Sequence, residues 1–301
     1  MPFAAKLAVA YFADLLIGDP QNFPHPVRWL GRLIEAGEKK ARAWFASEFI
    51  GGALLAVGII LLTYLFTKWA ASLSPLLEML LLYWCLSTKD LALESGWVRD
   101  ALKAGDLDLA RKKLSWIVGR DTDCLDEKEI VRATVETVAE NTVDGVVAPL
   151  FFAALGGAPL ACAYKAVNTL DSMIGHRNER YILFGRAAAK IDTWANWLPA
   201  RITAALFTIS AAFLKFSPSE AYRTARAHAT NSSIPEGAMA GALNIQLGGP
   251  NYYGGRAVDT PRMGRAIRPL SSENIGESIQ VMYLSSFLFA AACVLARIYL
   301  P

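Results

Sequence analysis

Long apolar blocks are the feature that most constrains this chain, because they alternate with polar stretches that carry most of its charge. The blocks are Phe49–Phe66, Leu73–Leu86, Val146–Val167, Leu198–Phe216 and Ile279–Tyr299. A helix needs about 20 mostly apolar residues to cross a bilayer, and only helices or closed barrels pair all their backbone groups in lipid. We find no strand-type alternation, so the sequence predicts an all-α, polytopic integral membrane protein with about five membrane segments.

Composition agrees with a membrane location and excludes several other classes. Apolar residues make up 54% of the 301 positions, against about 45–50% in soluble domains. The net charge of +3 and the lack of a basic run argue against a nucleic-acid partner. The four cysteines and three histidines match no zinc-site spacing. The first residues lack the basic region and cleavage site of a secretory signal, so we expect this segment to be retained.

One apolar block is interrupted. Val146–Val167 contains Gly156, Gly157 and Pro159, a combination that breaks a helix. The block therefore either crosses the membrane or forms a re-entrant hairpin that leaves on the side it entered. We expect one integral membrane domain over residues 1–301. It would carry a helical, membrane-proximal polar region at about 87–145 and polar loops at about 168–197 and 217–278.

An acidic helix is predicted from about Asp126 to Asp144. Glu129, Glu136, Glu140 and Asp144 would share one stripe of it. Carboxylates one turn apart repel each other, so something positive should compensate them. A pair between Arg132 and Glu136 is the structural explanation. A divalent cation, or basic residues from elsewhere, is the functional one.

Two further polar clusters adjoin apolar blocks. In the first, Lys165, Asn168 and Asp171 recur every three residues and precede a charged stretch that includes Arg177 and Arg180. The second contains Asp192, Asn196 and Arg201. Acidic and amide oxygens close to cations suit a magnesium–phosphate site. The alternative is that these residues cap helices or pair with one another.

The stretch Leu247–Gly255, LGGPNYYGG, is interpreted as a glycine-rich loop. It is not a dinucleotide-binding fingerprint, because no apolar helix of the Rossmann kind follows it. Tyr252 and Tyr253 would either contact a large planar ligand or pack an ordered turn. His25, between two prolines, is either an acid/base group or a residue that fixes its loop. The sequence contains no Walker A, GxSxG or HExxH motif.

Four long stretches together resemble one family, in the same order along the chain. They are Asp14–Ile34, Leu114–Tyr181, Asp192–Arg201 and Pro235–Gly255. The family is that of the adenosylcobinamide-phosphate synthases of cobalamin biosynthesis, the CobD/CbiB type. The chain departs from the family pattern at Lys89, where an Arg is common, and in HATNSSIPEG, where only His228, Asn231 and Glu236 keep the pattern.

The resemblance implies an amide-bond-forming enzyme of the inner (cytoplasmic) membrane that crosses it several times. Such an enzyme joins the propionate carboxylate of adenosylcobyric acid to the amine of (R)-1-amino-2-propanol or its O-phosphate. ATP and magnesium are implied, with an acyl phosphate as the expected activated form. The partners implied are the corrinoid, the amine and the lipid membrane, together with a second copy of the chain or other nucleotide-loop assembly enzymes.

On this hypothesis the polar residues divide into roles. The magnesium ligands would be Glu136, Glu140, Asp144, Asp171 and Asp192, and the catalytic groups Glu136, Glu140, Lys165 and Asp171. Phosphate would be bound by Lys165, Arg177, Arg180 and Arg201, with Asn141, Asn168 and Asn196 orienting. The corrinoid would contact His25, Arg28, Tyr252 and Tyr253, and further ligand contacts are expected at Arg120, Glu236 and Asn251.

Two rival functions follow from the same residues. A magnesium-dependent membrane prenyl or headgroup transferase is suggested by Asn168 with Asp171 and by Asp192 with Asn196. The small number of spans and the single Asp in each pair argue against it. A transporter is suggested by the broken apolar block, but the chain has no inverted repeat.

Overall fold

The computed structural model describes residues 1–19, 26–176 and 178–299. Helices α1 to α4 are Phe3–Ile17, Pro26–Trp44, Glu48–Leu73 and Pro75–Tyr83. Helices α5 to α9 are Thr88–Lys103, Leu107–Leu114, Glu127–Thr142, Ala148–Ile174 and Arg186–Ala195. Helices α10 to α13 are Trp197–Phe213, Pro218–Arg226, Ser233–Leu243 and Ser272–Tyr299, and strands β1 and β2 are Gln246–Tyr253 and Arg256–Gly264. The predicted all-α membrane class is confirmed by this mostly helical fold.

The chain packs as two compact units. The first unit contains Met1–Ser87, Asp144–Pro199 and Ala290–Pro301, and the second contains Thr88–Val143 and Ala200–Phe289. Each unit is assembled from separated stretches of chain, so composition cannot mark the whole of this division. The predicted polar region at 87–145 nonetheless coincides closely with the first segment of the second unit.

The first unit is built around α3 and α8. Helix α3 packs against α2, α4, α8 and α9, over an apolar cluster that includes Ile34, Ile59, Leu170 and Phe184. Burying each such side chain contributes about 1.5–3 kcal/mol. The opposite surface of α3 stays apolar and exposed, for example at Leu61, which is 53% exposed. An exposed apolar helix face of this length is typical of contact with lipid.

Three helical stretches are long and apolar enough to cross a membrane, namely Glu48–Leu73, Glu127–Ile174 and Ser272–Tyr299. Helix α4 spans nine residues, or about 13 Å, and is too short to cross alone. The sequence predicts that the return span Leu73–Leu86 follows a turn at Ser74 and Pro75. The turn is confirmed, because Ser74 caps α4 and Pro75 begins it, but the helix ends at Tyr83. Helix α10 is apolar but has only 17 residues. The number of five spans stays a prediction.

The break predicted in the apolar block 146–167 is confirmed. Gly157 has φ 72° and ψ −167° inside α8, a conformation that is open essentially to glycine alone. Pro159 follows two residues later and begins the next helical turn without needing a backbone donor. The re-entrant alternative stays a prediction.

The second unit is organised around α7, and the predicted acidic helix is confirmed there. Asp126 is the N-cap, and it forms a capping box with Glu129, which satisfies two backbone N–H groups of the first turn. Residues 130–139 are all buried. Helix α7 packs against α5, α6, α12 and β1, so a helix that carries several charges is nevertheless central to its unit.

Strands β1 and β2 correct the prediction for residues 217–278. The sequence predicts a loop without strands here, whereas the region contains α11, α12 and an antiparallel hairpin with Tyr253 opposite Arg256. Gly254 and Gly255 form the two-residue turn with φ 57° and 75°, and the Asp121 carboxylate accepts hydrogen bonds from both N–H groups. A Gly-Gly pair between two extended runs is a known hairpin signal. Gly254 and Gly255 are such a pair, within residues 247–258.

Candidate functional site

A chain of hydrogen bonds links five polar side chains of the first unit, which we call the first cluster: Asp144, Tyr164, Asn168, Asp192 and Asn196. Asn168 Nδ2 donates to Asp144 Oδ2 at 3.0 Å. The Tyr164 hydroxyl lies 2.8 Å from Asn196 Oδ1 and 3.3 Å from Asp144 Oδ1. Asn196 Nδ2 then donates to both oxygens of Asp192, at 3.1 and 3.2 Å. The cluster thus joins the segment just before α8, the middle of α8 and the end of α9.

The first cluster has more oxygen acceptors than hydrogen-bond donors. One phenolic proton at Tyr164 faces two acceptors, Asp144 Oδ1 and Asn196 Oδ1, and can serve only one of them fully. Both oxygens of Asp192 accept from the amide nitrogen of Asn196. Hard cations such as Mg²⁺ bind carboxylate and amide oxygens. The donor set is therefore of the type that accepts a hard cation.

Local backbone geometry places Asp144. It belongs to a short π-helical segment, Val143–Val147, between α7 and α8, and such segments are frequent at functional sites. The Gly145 carbonyl accepts a hydrogen bond from the Ser87 N–H at 3.0 Å. A Cβ at Gly145 would lie 2.2 Å from Ser87 Oγ, so a larger residue here would force the Ser87 hydroxyl to turn away.

The predicted face of Lys165, Asn168 and Asp171 is confirmed as part of α8. The charges of Lys165 and Asp171 both act on the Asp144 carboxylate. Lys165 is the one charged residue among the described residues that line an apolar cavity of about 360 Å³. Asp171 is half-buried and receives the electrostatic influence of His176.

A cationic cavity of about 330 Å³ in the first unit, which we call the α9 cavity, is not predicted by the sequence patterns. Its lining includes Gly175, His176, Arg186, Lys190 and Thr193, and no Asp or Glu among the described residues. Arg186 and Lys190 are one turn apart on α9, so they share a face. The i, i+4 spacing of Arg186 and Lys190, shortly after the charged stretch that ends at Arg180, is the sequence signal from which this cationic face could have been predicted.

Arg180, a predicted phosphate ligand, has a structural partner. Its Nη2 donates to Glu38 Oε1 at 3.0 Å, and Arg42 Nε donates to the same oxygen at 2.9 Å. Burial alone would raise the pKa of Glu38, but the hydrogen bonds from Arg180 and Arg42 outweigh it and hold that pKa below its ordinary value. Arg28 is exposed on α2. Of the other predicted residues, His25 and Arg177 lie outside the described residues.

The second unit contains a charged network, the second cluster: Arg120, Arg132, Glu136 and Asn251. Glu136 Oε2 accepts from Arg120 Nη2 at 2.6 Å, and Oε1 accepts from the Gly248 N–H at 2.8 Å and Arg132 Nη1 at 3.3 Å. Asn251 Oδ1 accepts from Arg120 Nη1 at 2.6 Å and Arg132 Nη1 at 3.1 Å. Arg132 Nη2 also donates to the Pro250 carbonyl at 2.8 Å.

This network confirms the pair of Arg132 and Glu136 that was the structural explanation of the acidic stripe. Two guanidinium groups already neutralise the Glu136 carboxylate, and they would repel a divalent cation placed beside it. We therefore assign Glu136 to holding β1 against α7, in place of the predicted metal and catalytic roles. Glu129 belongs to the capping box, and Glu140 is exposed on α7.

Glu236 lies on α12 and is influenced by the second cluster. Burial raises its pKa well above the ordinary value, and the negative charges of Glu140 and Glu136 raise it further against the opposing effect of Arg120 and Arg132. Asn141 is half-buried near the end of α7, while Tyr252 and Tyr253 are exposed on β1. Their predicted contacts with a ligand stay predictions.

The predicted metal ligands belong to both units. Asp144, Asp171 and Asp192 are in the first, and Glu136 and Glu140 are in the second. Within residues 1–19, 26–176 and 178–299, no three His, Cys, Asp or Glu side chains come together as a metal-binding group. A site made of carboxylates alone is thus not formed there. The first cluster contains two carboxylates, so a set of oxygen ligands for a hard cation there would also have to include amide and phenol oxygens.

Arg201, the remaining predicted phosphate ligand, belongs to the second unit. Its Nη1 lies 3.5 Å from Asn231 Oδ1. It lines a cavity of about 290 Å³ together with Tyr222, Arg226 and His228.

Comparison with known proteins agrees with the resemblance. The CobD/Cbib protein family model matches residues 7–282. A cobalamin biosynthesis protein CobD of Geobacter metallireducens is 48% identical over 292 residues, covering 93% of this chain and 92% of the relative. CobD of Citrobacter koseri and CbiB of Salmonella typhimurium are each 43% identical, over 96% of both chains. No solved structure matches the chain. This protein therefore belongs to the CobD/CbiB family of cobalamin biosynthesis proteins.

Proposed function

We propose that this protein is an ATP- and magnesium-dependent amide ligase that joins adenosylcobyric acid to (R)-1-amino-2-propanol or its O-phosphate. Membership of the CobD/CbiB family gives the pathway. The observation that carries the chemical part is the first unit's combination of an oxygen-rich cluster with a cationic cavity. A phosphoryl-transfer site needs both hard oxygen ligands and cations.

Magnesium, when bound, would neutralise phosphate charge during phosphoryl transfer. Asp144 and Asp192 would hold it, because both are carboxylates of the first cluster whose oxygens accept from neutral amide and phenol groups. Asn168 and Asn196 orient the two carboxylates, and Tyr164 ties the two pairs together. This arrangement positions the oxygens before any ligand arrives, which lowers the reorganisation needed at the reacting centre.

Cations of the same unit would bind the phosphates of ATP. Arg186 and Lys190 line the α9 cavity, and Lys165 acts electrostatically on Asp144. Arg suits phosphate because its planar group donates two parallel hydrogen bonds, and Lys supplies a point charge. Arg186 and Lys190 are thus added to the residues predicted from the sequence.

The proposed reaction has two balanced steps. A carboxylate oxygen of adenosylcobyric acid attacks the γ-phosphorus of ATP and ADP leaves, which gives an acyl phosphate. The amine then attacks the acyl carbon, inorganic phosphate leaves, and one proton of the ammonium is lost to a base. Asp171 is our candidate for this base, because it is a half-buried carboxylate on the same helix as Lys165 and Asn168.

Purified protein should form the amide when incubated with adenosylcobyric acid, ATP, magnesium and either amine, with mass spectrometry as the readout. Asp171→Asn and Asp192→Asn should abolish product while leaving folded protein in the membrane. Ser172→Ala, at an exposed neighbouring position, is the matched control and should stay active. Near-normal activity in both carboxylate variants would refute the residue assignment. A transporter or a prenyl transferase would form no amide with any variant.

A further inference from the structure

The cavity beside Arg201 has cationic and hydroxyl groups. Helix α11 contributes Tyr222 and Arg226, one turn apart, and α10 contributes Arg201 and Thr208. His228 is a further polar residue of the lining, and the other residues that line the cavity are alanines and one isoleucine. No Asp or Glu is among the described residues that line it. At about 290 Å³ it is near the lower end of the range for small-molecule sites.

Arg226 is oriented by an aromatic ring. Its guanidinium carbon lies 5.5 Å from the Tyr222 ring centroid, and Nη1 lies 3.3 Å from the Tyr222 hydroxyl. Stacking on an aromatic face limits the motion of a guanidinium group and leaves its edge available to a planar or tetrahedral anion. The side chain is thus held in place by a neutral neighbour.

The preceding turn of α11 supplies a comparison within the same helix. Arg223, three residues before Arg226, forms an ion pair with Glu220 and does not line the cavity. Glu220 is therefore an acidic partner for arginine on α11, and the arginine that it pairs with is Arg223. Burial lowers the pKa of His228 below its ordinary value, so the imidazole is mainly neutral at pH 7 and can donate or accept one hydrogen bond.

We propose that the cavity lined by Arg201, Tyr222, Arg226 and His228 binds the phosphate group of a phosphate monoester. Two guanidinium groups match the charge of a dianionic phosphate, and the hydroxyl groups match its remaining oxygens. A soluble phosphate ester and a lipid headgroup present the same group. This proposal stands on the cavity itself and does not depend on the proposed ligase reaction, so its test needs no turnover.

Arginine modification tests the proposal on the unmodified sequence. The purified protein is treated with phenylglyoxal in the presence or absence of glycerol 1-phosphate, and the modified positions are mapped by peptide mass spectrometry. Glycerol 1-phosphate should protect Arg226 and Arg201, while Arg223 should be modified equally in both samples. Equal behaviour of Arg226 and Arg223 would overturn the proposal.

Affinity measurements on two matched variants complete the test. Arg226→Gln should weaken binding of glycerol 1-phosphate by about 10-fold or more, since it removes a charge-assisted hydrogen bond. Arg223→Gln should bind within about 2-fold of the parent protein, as expected for an exposed pair. Equal losses in the two variants would show non-specific attraction and contradict the proposal.

The source of the phosphate is distinguished in nanodiscs. Protein in phosphatidylcholine discs with or without phosphatidic acid is examined by native mass spectrometry. Retention of phosphatidic acid that is lost in Arg226→Gln would support the site with a lipid headgroup as its ligand. Protection by glycerol 1-phosphate without lipid retention would support it with a soluble ligand. Absence of protection by glycerol 1-phosphate would refute the site whatever the lipid result.

Discussion

The two polar clusters of this protein differ in how completely their oxygens are used. In the second cluster both carboxylate oxygens of Glu136 and the amide oxygen of Asn251 accept from guanidinium or backbone donors. In the first, a single phenolic proton faces Asp144 and Asn196, and the side chains that donate to the two carboxylates within the cluster are neutral amide and phenol groups. A satisfied network stabilises a fold, whereas surplus acceptors are what a cation needs.

This contrast assigns different consequences to the same kind of mutation. Neutralising a carboxylate of the second cluster removes the partner of two buried guanidinium groups, and the loss should be seen in stability. Neutralising a carboxylate of the first cluster removes a candidate ligand while keeping a similar shape and hydrogen bonds. That loss should be seen in activity. The predictions below test the contrast, beginning with the largest expected effect.

The largest effect is expected for Asp144→Asn. Amide formation should fall by about 1,000-fold or more, because a charged ligand of the proposed magnesium site is lost, and a factor of 10 corresponds to about 1.4 kcal/mol. The apparent melting temperature in detergent should change little. Asp108→Asn makes the same chemical change where the side chain is 93% exposed and should leave both quantities unaltered. Full activity of Asp144→Asn would remove Asp144 from the site.

Glu136→Gln should have the next largest effect. Breaking a buried ion pair by removing one partner costs about 3–5 kcal/mol, and here two arginines lose their counter-charge. The apparent melting temperature should fall markedly, with loosening of the hairpin measured by hydrogen exchange at residues 246–264.

Glu127→Gln is the control for that variant, since Glu127 is exposed in the first turn of the same helix. Its melting temperature should stay close to that of the parent. If Glu136→Gln unfolds at the parent temperature, the second cluster does not stabilise its unit, and the contrast between the clusters fails.

The smallest effect is a pH dependence at Glu236. Because burial raises the pKa of this carboxyl in the folded protein, the folded state keeps its proton after the unfolded state has released it. Folding stability should therefore fall as pH rises from about 4.5 through the raised folded pKa. Glu236→Gln removes this dependence, so its melting temperature should exceed that of the parent by a few degrees at pH 8 and by less at pH 5. An equal difference at the two pH values would contradict this.

Local patterns predicted a substantial part of the fold. The capping box of Asp126 with Glu129 and the apolar positions of α7 follow from residues close in sequence, as does the break at Gly157. The hairpin turn was also locally encoded by Gly254 and Gly255, but the glycines were interpreted as part of a loop. Residues close in sequence therefore encode this turn as well.

The polar clusters could be predicted only in part, since their members come from distant positions. Arg120 and Asn251 are 131 residues apart, and no spacing rule connects them. Tyr164 was missed for another reason, because it sits in an apolar run where an aromatic residue is usually part of the core. The structure instead directs its hydroxyl between an acid and an amide.

The central claim is tested most directly by measuring amide formation and apparent melting temperature for Asp144→Asn and Glu136→Gln side by side, in one detergent and at one pH. The account predicts that Asp144→Asn loses activity by about 1,000-fold or more at a parent-like melting temperature. It predicts a much lower melting temperature for Glu136→Gln, with activity surviving below that temperature. The reverse pattern, or equal loss of both quantities in both variants, would contradict it.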